Sequence, residues 1–453
     1  MNETGLHSRR GFLLRLSAGA VGTPLLAGPA GQAIAAEPAP PIKVAALFTT
    51  FFPRSHAHVI MENFVQPYLF NGQVTDPGMQ VASFYVEQIH AQDLSREVAR
   101  QFQIPTYPSI AKALCLGGDK LAVDAVLLIG EHGDYPTNEK GQVQYPRKQF
   151  FDQTVAVFRA SNRVAPIFCD KHLSYRWDWA KAMVDTAKQM QFPLMAGSSV
   201  PLAERRPPFE LPADARIVEA VSIHGGGVES YDFHALEVLE SLVEGRRGGE
   251  TGAKQVQFLI GAPLWQAAEA GAWSPKLAAA AMAAEVGNDH PIVRFLNSQG
   301  NAQADPPVPM HGILINYRDG LRAIALKVGN DGIRWNFACQ LEGEQGPRAT
   351  MFHVGPWQNR NLFKALSHAI QTFFRARKSP YPVERTLLTT GILDAAMDSR
   401  AAGGKLLDTP WLDVTYAPQD FRAMREMGAT WKIITDQTVE PRGIEPVGIP
   451  ARR

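Results

Sequence analysis

The stretch V-D-A-V-L-L-I-G-E-H-G-D-Y, Val123 to Tyr135, carries five apolar residues in succession, Ala125 to Ile129, and then breaks into a short polar turn. An uninterrupted apolar run of that length, closed by glycine and charged residues, reads as a strand buried on both faces. Working outward, Val44–Phe48, Val81–Val86, Ala165–Cys169 and Pro193–Ala196 read in the same way. Helix-like segments at Leu94–Phe102, Phe150–Ala160 and Trp177–Met190 lie between them. Strands alternating with helices predict a parallel sheet with helices on its faces. Ligands collect at the carboxyl ends of such strands, which places the turn Gly130 to Tyr135 at a crevice.

After Pro201 the pattern changes. P-P-F-E-L-P, Pro207 to Pro212, reads as a connection, followed by a strand at Ile217–Ile223, a helix from His234 to Val243 and a strand at Val256–Ile260. Lys276–Val286 is alanine-rich and helical. Ile313–Tyr317, Arg322–Val328 and Ile333–Gln340 then alternate with period two, and Asp319-Gly320 and Asn330-Asp331-Gly332 between them predict antiparallel hairpins. Leu362–Arg375 and Arg385–Met397 read as closing helices. The expected fold is α/β: a Rossmann-like domain over residues 42–201, an α/β domain with an open, mainly antiparallel sheet over 202–416, and a C-terminal extension over 417–453.

The 453 residues carry 45 Lys+Arg against 44 Asp+Glu and are 45% hydrophobic, which excludes a disordered chain and the basic excess of a nucleic-acid binder. Cys115, Cys169 and Cys339 are odd in number and widely spaced, so neither a disulfide scaffold nor a zinc knuckle is indicated. Residues 1–36 open with S-R-R-G-F-L-L-R, Ser8 to Arg15, continue through a stretch broken by Gly22 and Pro24, and end in A-I-A-A. This resembles a twin-arginine export signal, implying a periplasmic or otherwise exported protein. The apolar run is shorter than the roughly 20 residues that span a bilayer, so no transmembrane anchor is expected. A Pro-rich linker, residues 37–41, follows. Cleavage after Ala36 would remove Arg9, Arg10, Arg15 and Glu3 and turn the formal charge from +1 to −1.

Four segments carry a family resemblance. I-P-T-Y-P-S-I followed by V-D-A-V-L-L-I-G (Ile104 to Gly130), F-C-D-K-H-L-S (Phe168 to Ser174), G-G-G-V-E-S-Y-D-F-H-A-L-E-V-L (Gly225 to Leu239), and the hairpin sheet with its closing helix are similar to the Gfo/Idh/MocA family of nicotinamide-dependent sugar and polyol oxidoreductases. The resemblance implies NAD or NADP as cofactor and a carbohydrate or polyol as substrate. It implies that Lys171 positions the reacting oxygen and that His234 exchanges its proton, with Asp232 or Glu229 tuning the histidine. Asp170 and His172 flank the lysine and are expected at the substrate.

The chain departs from the family after its first strand. The glycine-rich turn that brings backbone N–H groups to a pyrophosphate is replaced by F-T-T-F-F-P-R-S-H-A-H, Phe48 to His58, without a glycine. Thr49, Thr50 and Arg54 are the expected cofactor contacts there, with Glu87 as the acid after the second strand and Glu131 and His132 completing the crevice. The aspartate usually four residues before the histidine is Ser230. A second reading is a non-redox sugar lyase, hydrolase or epimerase on the same scaffold, aided by a divalent metal at Glu131, His132 and Asp134 with Asp170, His172, His224 and His234. No tight metal-binding spacing is present, however. A third is a sugar-binding protein without catalysis. Association of copies through the C-terminal sheet is also expected.

Overall fold

Strand Ile42–Phe48 (β1) opens the chain's first layer in the computed structural model, which describes residues 40–299, 310–445 and 447–449. The expected export signal and most of the expected linker lie outside the described residues. After β1 come helix His56–Val65 (α1), a small hairpin of Tyr68–Phe70 (β2) and Gln73–Thr75 (β3), and strand Met79–Val86 (β4). Helices Ser95–Gln101 (α2) and Ile110–Leu114 (α3) lead to Ala125–Ile129 (β5). Then follow Arg147–Ser161 (α4), Ile167–Asp170 (β6), Trp177–Gln189 (α5) and Leu194–Gly197 (β7). The sheet runs β4-β1-β5-β6-β7 with every pairing parallel. All five residues of β5 are buried, as the apolar run requires. Each large apolar side chain so buried contributes about 1.5–3 kcal/mol.

The segment I-P-T-Y-P-S-I, Ile104 to Ile110, forms no strand. It makes a single bridge, Thr106 to Phe84, because Pro105 and Pro108 leave too few N–H donors for a ladder.

The second half comprises Glu204–Arg206 (β8), Ile217–His224 (β9), Ser230–Val243 (α6), Ala253–Ile260 (β10), three short helices Ala262–Glu269 (α7), Pro275–Val286 (α8) and Pro291–Asn297 (α9), and strands Met310–Tyr317 (β11), Arg322–Val328 (β12), Trp335–Leu341 (β13) and Arg348–His353 (β14). Helices Asn359–Ala376 (α10) and Val383–Ala401 (α11) and the short strand Leu407–Asp408 (β15) complete it. The sheet order is β15-β10-β11-β12-β9-β13-β14-β8. It is mixed and mainly antiparallel, β12 with β9 being its parallel pair.

The turn at Asp319-Gly320 joins β11 and β12 as a hairpin. The second expected hairpin does not form, because β9 inserts between β12 and β13 and pairs with both. β9 is buried along its last five residues, so it takes the centre and the Asn330-Asp331-Gly332 turn becomes a crossover.

One apolar core runs from the parallel sheet into the inner face of the mixed sheet. A second core lies between the outer face and α7–α9, built on Val221, Ile223, Leu264, Trp273 and Leu277. That outer face is therefore covered by the chain's own helices. No described helix is long and apolar enough to cross a membrane.

Candidate active site

A cavity of about 490 Å³ opens at the carboxyl ends of β1, β5, β6 and β7. Three turns that reach it hold a bulky residue in the left-handed region: Arg54 (φ 64°), His132 (φ 69°) and Lys171 (φ 68°). Such backbone costs energy and persists where the surroundings fix it, which is common around functional sites.

Lys171 is buried and reaches the cavity wall. Its Nζ donates to Ser230 Oγ at 2.9 Å and to Ser230 O at 3.2 Å, and lies 3.4 Å from Glu131 Oε1. His234, one turn into α6, has Nδ1 2.6 Å from Ser198 Oγ, which leaves Nε2 for a ligand. Burial first, then the nearby Lys171 and His56, holds His234 well below the usual imidazole value, so it is a neutral base near pH 7. Glu131 is buried between Arg147 and Lys171. Burial pushes its carboxyl up, but Lys171 and Arg147 outweigh that and hold it well below the carboxylate range.

His132 lines the cavity with Nε2 buried and lacking a partner among the described residues, as does Ser199 Oγ. Burial lowers His132 to about 4. The opposite wall is apolar, with Trp335 stacked on Tyr231 at 5.4 Å and Phe363 against His56 at 4.6 Å.

Several expected site residues lie elsewhere. Asp232 does not reach His234. Its Oδ1 lies 2.9 Å from His224 Nε2 and 2.7 Å from His311 Nε2, and its Oδ2 accepts the Glu229 N–H at 2.8 Å. Asp232 and His234 are two apart on a helix, which points them about 200° apart. Glu229 is the N-cap of α6, closing a capping box with Asp232 and accepting from Val143 N at 3.2 Å, outside the cavity. Asp170 lies behind the wall with Oδ2 2.6 Å from His56 Nδ1, and His172 is packed inward with Nε2 3.2 Å from Arg147 Nη1. The metal set proposed around Glu131, His132 and Asp134 is not brought together. Among the described residues, the three-residue group with metal-ligand donors within 4.8 Å of one another is His224, Asp232 and His311, all buried. Its three donors are already joined by hydrogen bonds.

Of the cofactor contacts expected from the resemblance, Arg54, Glu131 and His132 line the cavity, whereas Thr49, Thr50 and Glu87 do not. Thr49 is buried and donates to the Glu131 carbonyl at 2.7 Å; Thr50 is buried with Oγ1 unpartnered among the described residues. Glu87 stands one residue past β4, the strand paired with β1, and accepts from the Tyr135 hydroxyl. That is where a ribose-binding acid stands in a Rossmann unit, and the β2–β3 hairpin accounts for the long spacing.

The turn after β1 does not fit a dinucleotide held as a glycine-rich turn holds one. The N–H groups of Thr49, Phe52, Arg54 and Ser55 are bonded within the protein, to Ile129 O, Ser55 Oγ, His58 Nδ1 and Phe52 O. The Arg54 guanidinium is held by Glu440 and by the Trp357 carbonyl at 3.1 Å.

Three contributors were missed. His56, Ser198 and Arg147 look in sequence like helix-start and turn residues, and their roles depend on partners 16 to 114 residues away.

No family model and no curated protein matches the chain. Its structure is similar to that of GenD2 from gentamicin A biosynthesis in complex with NAD, at 12% identity over 81% of this chain and 96% of GenD2, with a TM-score of 0.51. Myo-inositol 2-dehydrogenase from Lactobacillus plantarum (12% identity, 82% and 99% covered, TM-score 0.48) and a probable dehydrogenase from Thermotoga maritima (10%, 82% and 100%, 0.48) are also similar. The chain thus has the fold of GenD2, a Rossmann-like parallel sheet followed by a mixed sheet.

Proposed function

We propose that this chain is an exported enzyme of the oxidoreductase fold acting on a carbohydrate or polyol, with proton transfer carried by His234 and the reacting oxygen positioned by Lys171. The observation that carries the reading is the convergence of Lys171, Ser230 and His234 in one cavity. A neutral imidazole with Nδ1 held by Ser198 is set to take a hydroxyl proton, and the Lys171 ammonium stabilises the oxygen left behind. The unpartnered Ser199 Oγ and His132 Nε2 offer further hydrogen bonds. The Tyr231–Trp335 wall suits the C–H face of a sugar ring.

The fold and the place of Glu87 support the redox reading, with NAD or NADP as hydride partner. The closed turn after β1 favours the non-redox alternative, in which the same two residues act by proton transfer alone. The nucleotide content of the native protein separates them. Bound nicotinamide nucleotide supports the first; its absence, with no thermal shift at millimolar NAD or NADP, rejects it. Under either reading, His234→Gln and Lys171→Met each lower turnover by about 10²–10⁴-fold. Intact turnover in both variants refutes the site.

A further inference from the structure

A second pocket, of about 400 Å³, lies at the other end of α6, where Arg205 of β8, Glu210, Ser241 and the segment from Phe421 to Arg425 meet. Two of its arginines are buried. The Arg205 and Arg425 side chains keep 5% and 3% of their exposure. Arg205 Nη1 donates to the Phe209 carbonyl at 2.9 Å and reaches Glu210 Oε2 at 3.4 Å, and Arg425 Nη2 meets the other Glu210 oxygen. Arg205 Nε and Arg425 Nε and Nη1 have no acceptor among the described residues. Three buried guanidinium donors without acceptors are costly, and in native proteins such groups commonly mark an ion or water site.

The charge balance points the same way. The other carboxylates at this pocket are committed: Glu244 to Arg385, and Asp420 to Arg422. Glu210, half exposed, is left facing two buried cations. Burial, and then the charge of Arg425, lowers Arg205 to about 9. The negative end of the α6 dipole opposes an anion here, but its last carbonyls are engaged, Leu242 O by Gly245 N and Val243 O by Arg246 N.

We propose that this pocket binds a compact oxyanion, a phosphate or carboxylate group, between Arg205 and Arg425, with Glu210 as the internal carboxylate it displaces. Guanidinium groups match both anions through paired N–H donors. The test is calorimetric titration of the full chain with inorganic phosphate, and separately with citrate, at constant ionic strength set with chloride. Saturable binding at one site is expected, and the tighter of the two anions assigns the ligand group. Arg425→Met weakens it by about tenfold or more. Glu210→Gln removes the competing carboxylate and tightens binding several-fold, a gain that a poorly folded variant cannot mimic. Lys171→Met, in the catalytic cavity, leaves it unchanged. Absence of saturable binding of either anion up to about 10 mM overturns the proposal. So does binding that Glu210→Gln leaves unchanged, or that Lys171→Met abolishes.

Discussion

Glu229 shows how a residue beside the site can be structural and still set a pH dependence. Burial raises its carboxyl to about 7 against the Val143 N–H, which lowers it. A carboxyl whose folded value is raised contributes stability that is fully present below its unfolded value of about 4.3 and is lost as pH rises through the folded one. Glutamine keeps the accepting oxygen and cannot ionise. The stability of the native chain should therefore fall relative to Glu229→Gln between pH 5 and pH 8, by about 1–3 kcal/mol. Denaturant unfolding at several pH values measures this, and a pH-independent difference would show that Glu229 is solvated. The sequence placed Glu229 next to His234 correctly along the chain. It did not show the direction, because an N-cap and a residue one turn later face different surroundings.

At the scale of elements, legibility followed burial. β5, β6 and β7 were readable because strands covered on both faces are continuous apolar runs. α6 was harder: its Glu237 and Glu240 and its C-cap Glu244 look like a solvated face, yet all are buried. They accept from Thr389, from Tyr317 and Tyr416, and from Arg385. Those partners lie 77 to 176 residues away, beyond the reach of periodicity. The site divided in the same way. Lys171 and His234, which line the cavity, stand in local motifs, whereas His224 and His311 of β9 and β11 meet Asp232 only through the fold.

Helix α11, which also packs against α5, offers a test of packing at this scale. Gly391 sits in its interior, where alanine would ordinarily gain about 1 kcal/mol. A Cβ there would fall 2.6 Å from the Trp177 ring and also meet Leu412. Overpacking should prevail, and Gly391→Ala should destabilise the protein by about 1–3 kcal/mol in urea unfolding. A more stable variant would mean that α5 and α11 are not packed this closely.

Over the whole molecule, the segment that the sequence presents as an extension is part of the first layer. After Pro418 the chain returns to β2, β3, α1 and α10. Glu426 accepts from Asn71 N at 3.0 Å, Thr430 Oγ1 from Gly72 N at 3.1 Å, and the Thr438 carbonyl from Trp357 Nε1 at 3.0 Å. Arg360, buried against Glu62, donates to the Pro441 and Gly443 carbonyls, and Glu440 holds Arg54 at the cavity edge. Phe421, Ile434 and Ile444 are buried on this path. At about 1.5–3 kcal/mol for each such side chain, the segment carries a large part of the roughly 5–15 kcal/mol that holds a domain folded. Ending the chain at Pro418 should thus lower the midpoint of thermal unfolding by about 5–10 °C or prevent folding, since at about 2.1 cal/mol/K per residue about 1 kcal/mol moves the midpoint of a chain this size by roughly 1 °C. A truncated chain that melts within about 2 °C of the full one would show that these contacts contribute little. The closed turn after β1 would then have to be explained by Ser55 and His58 alone.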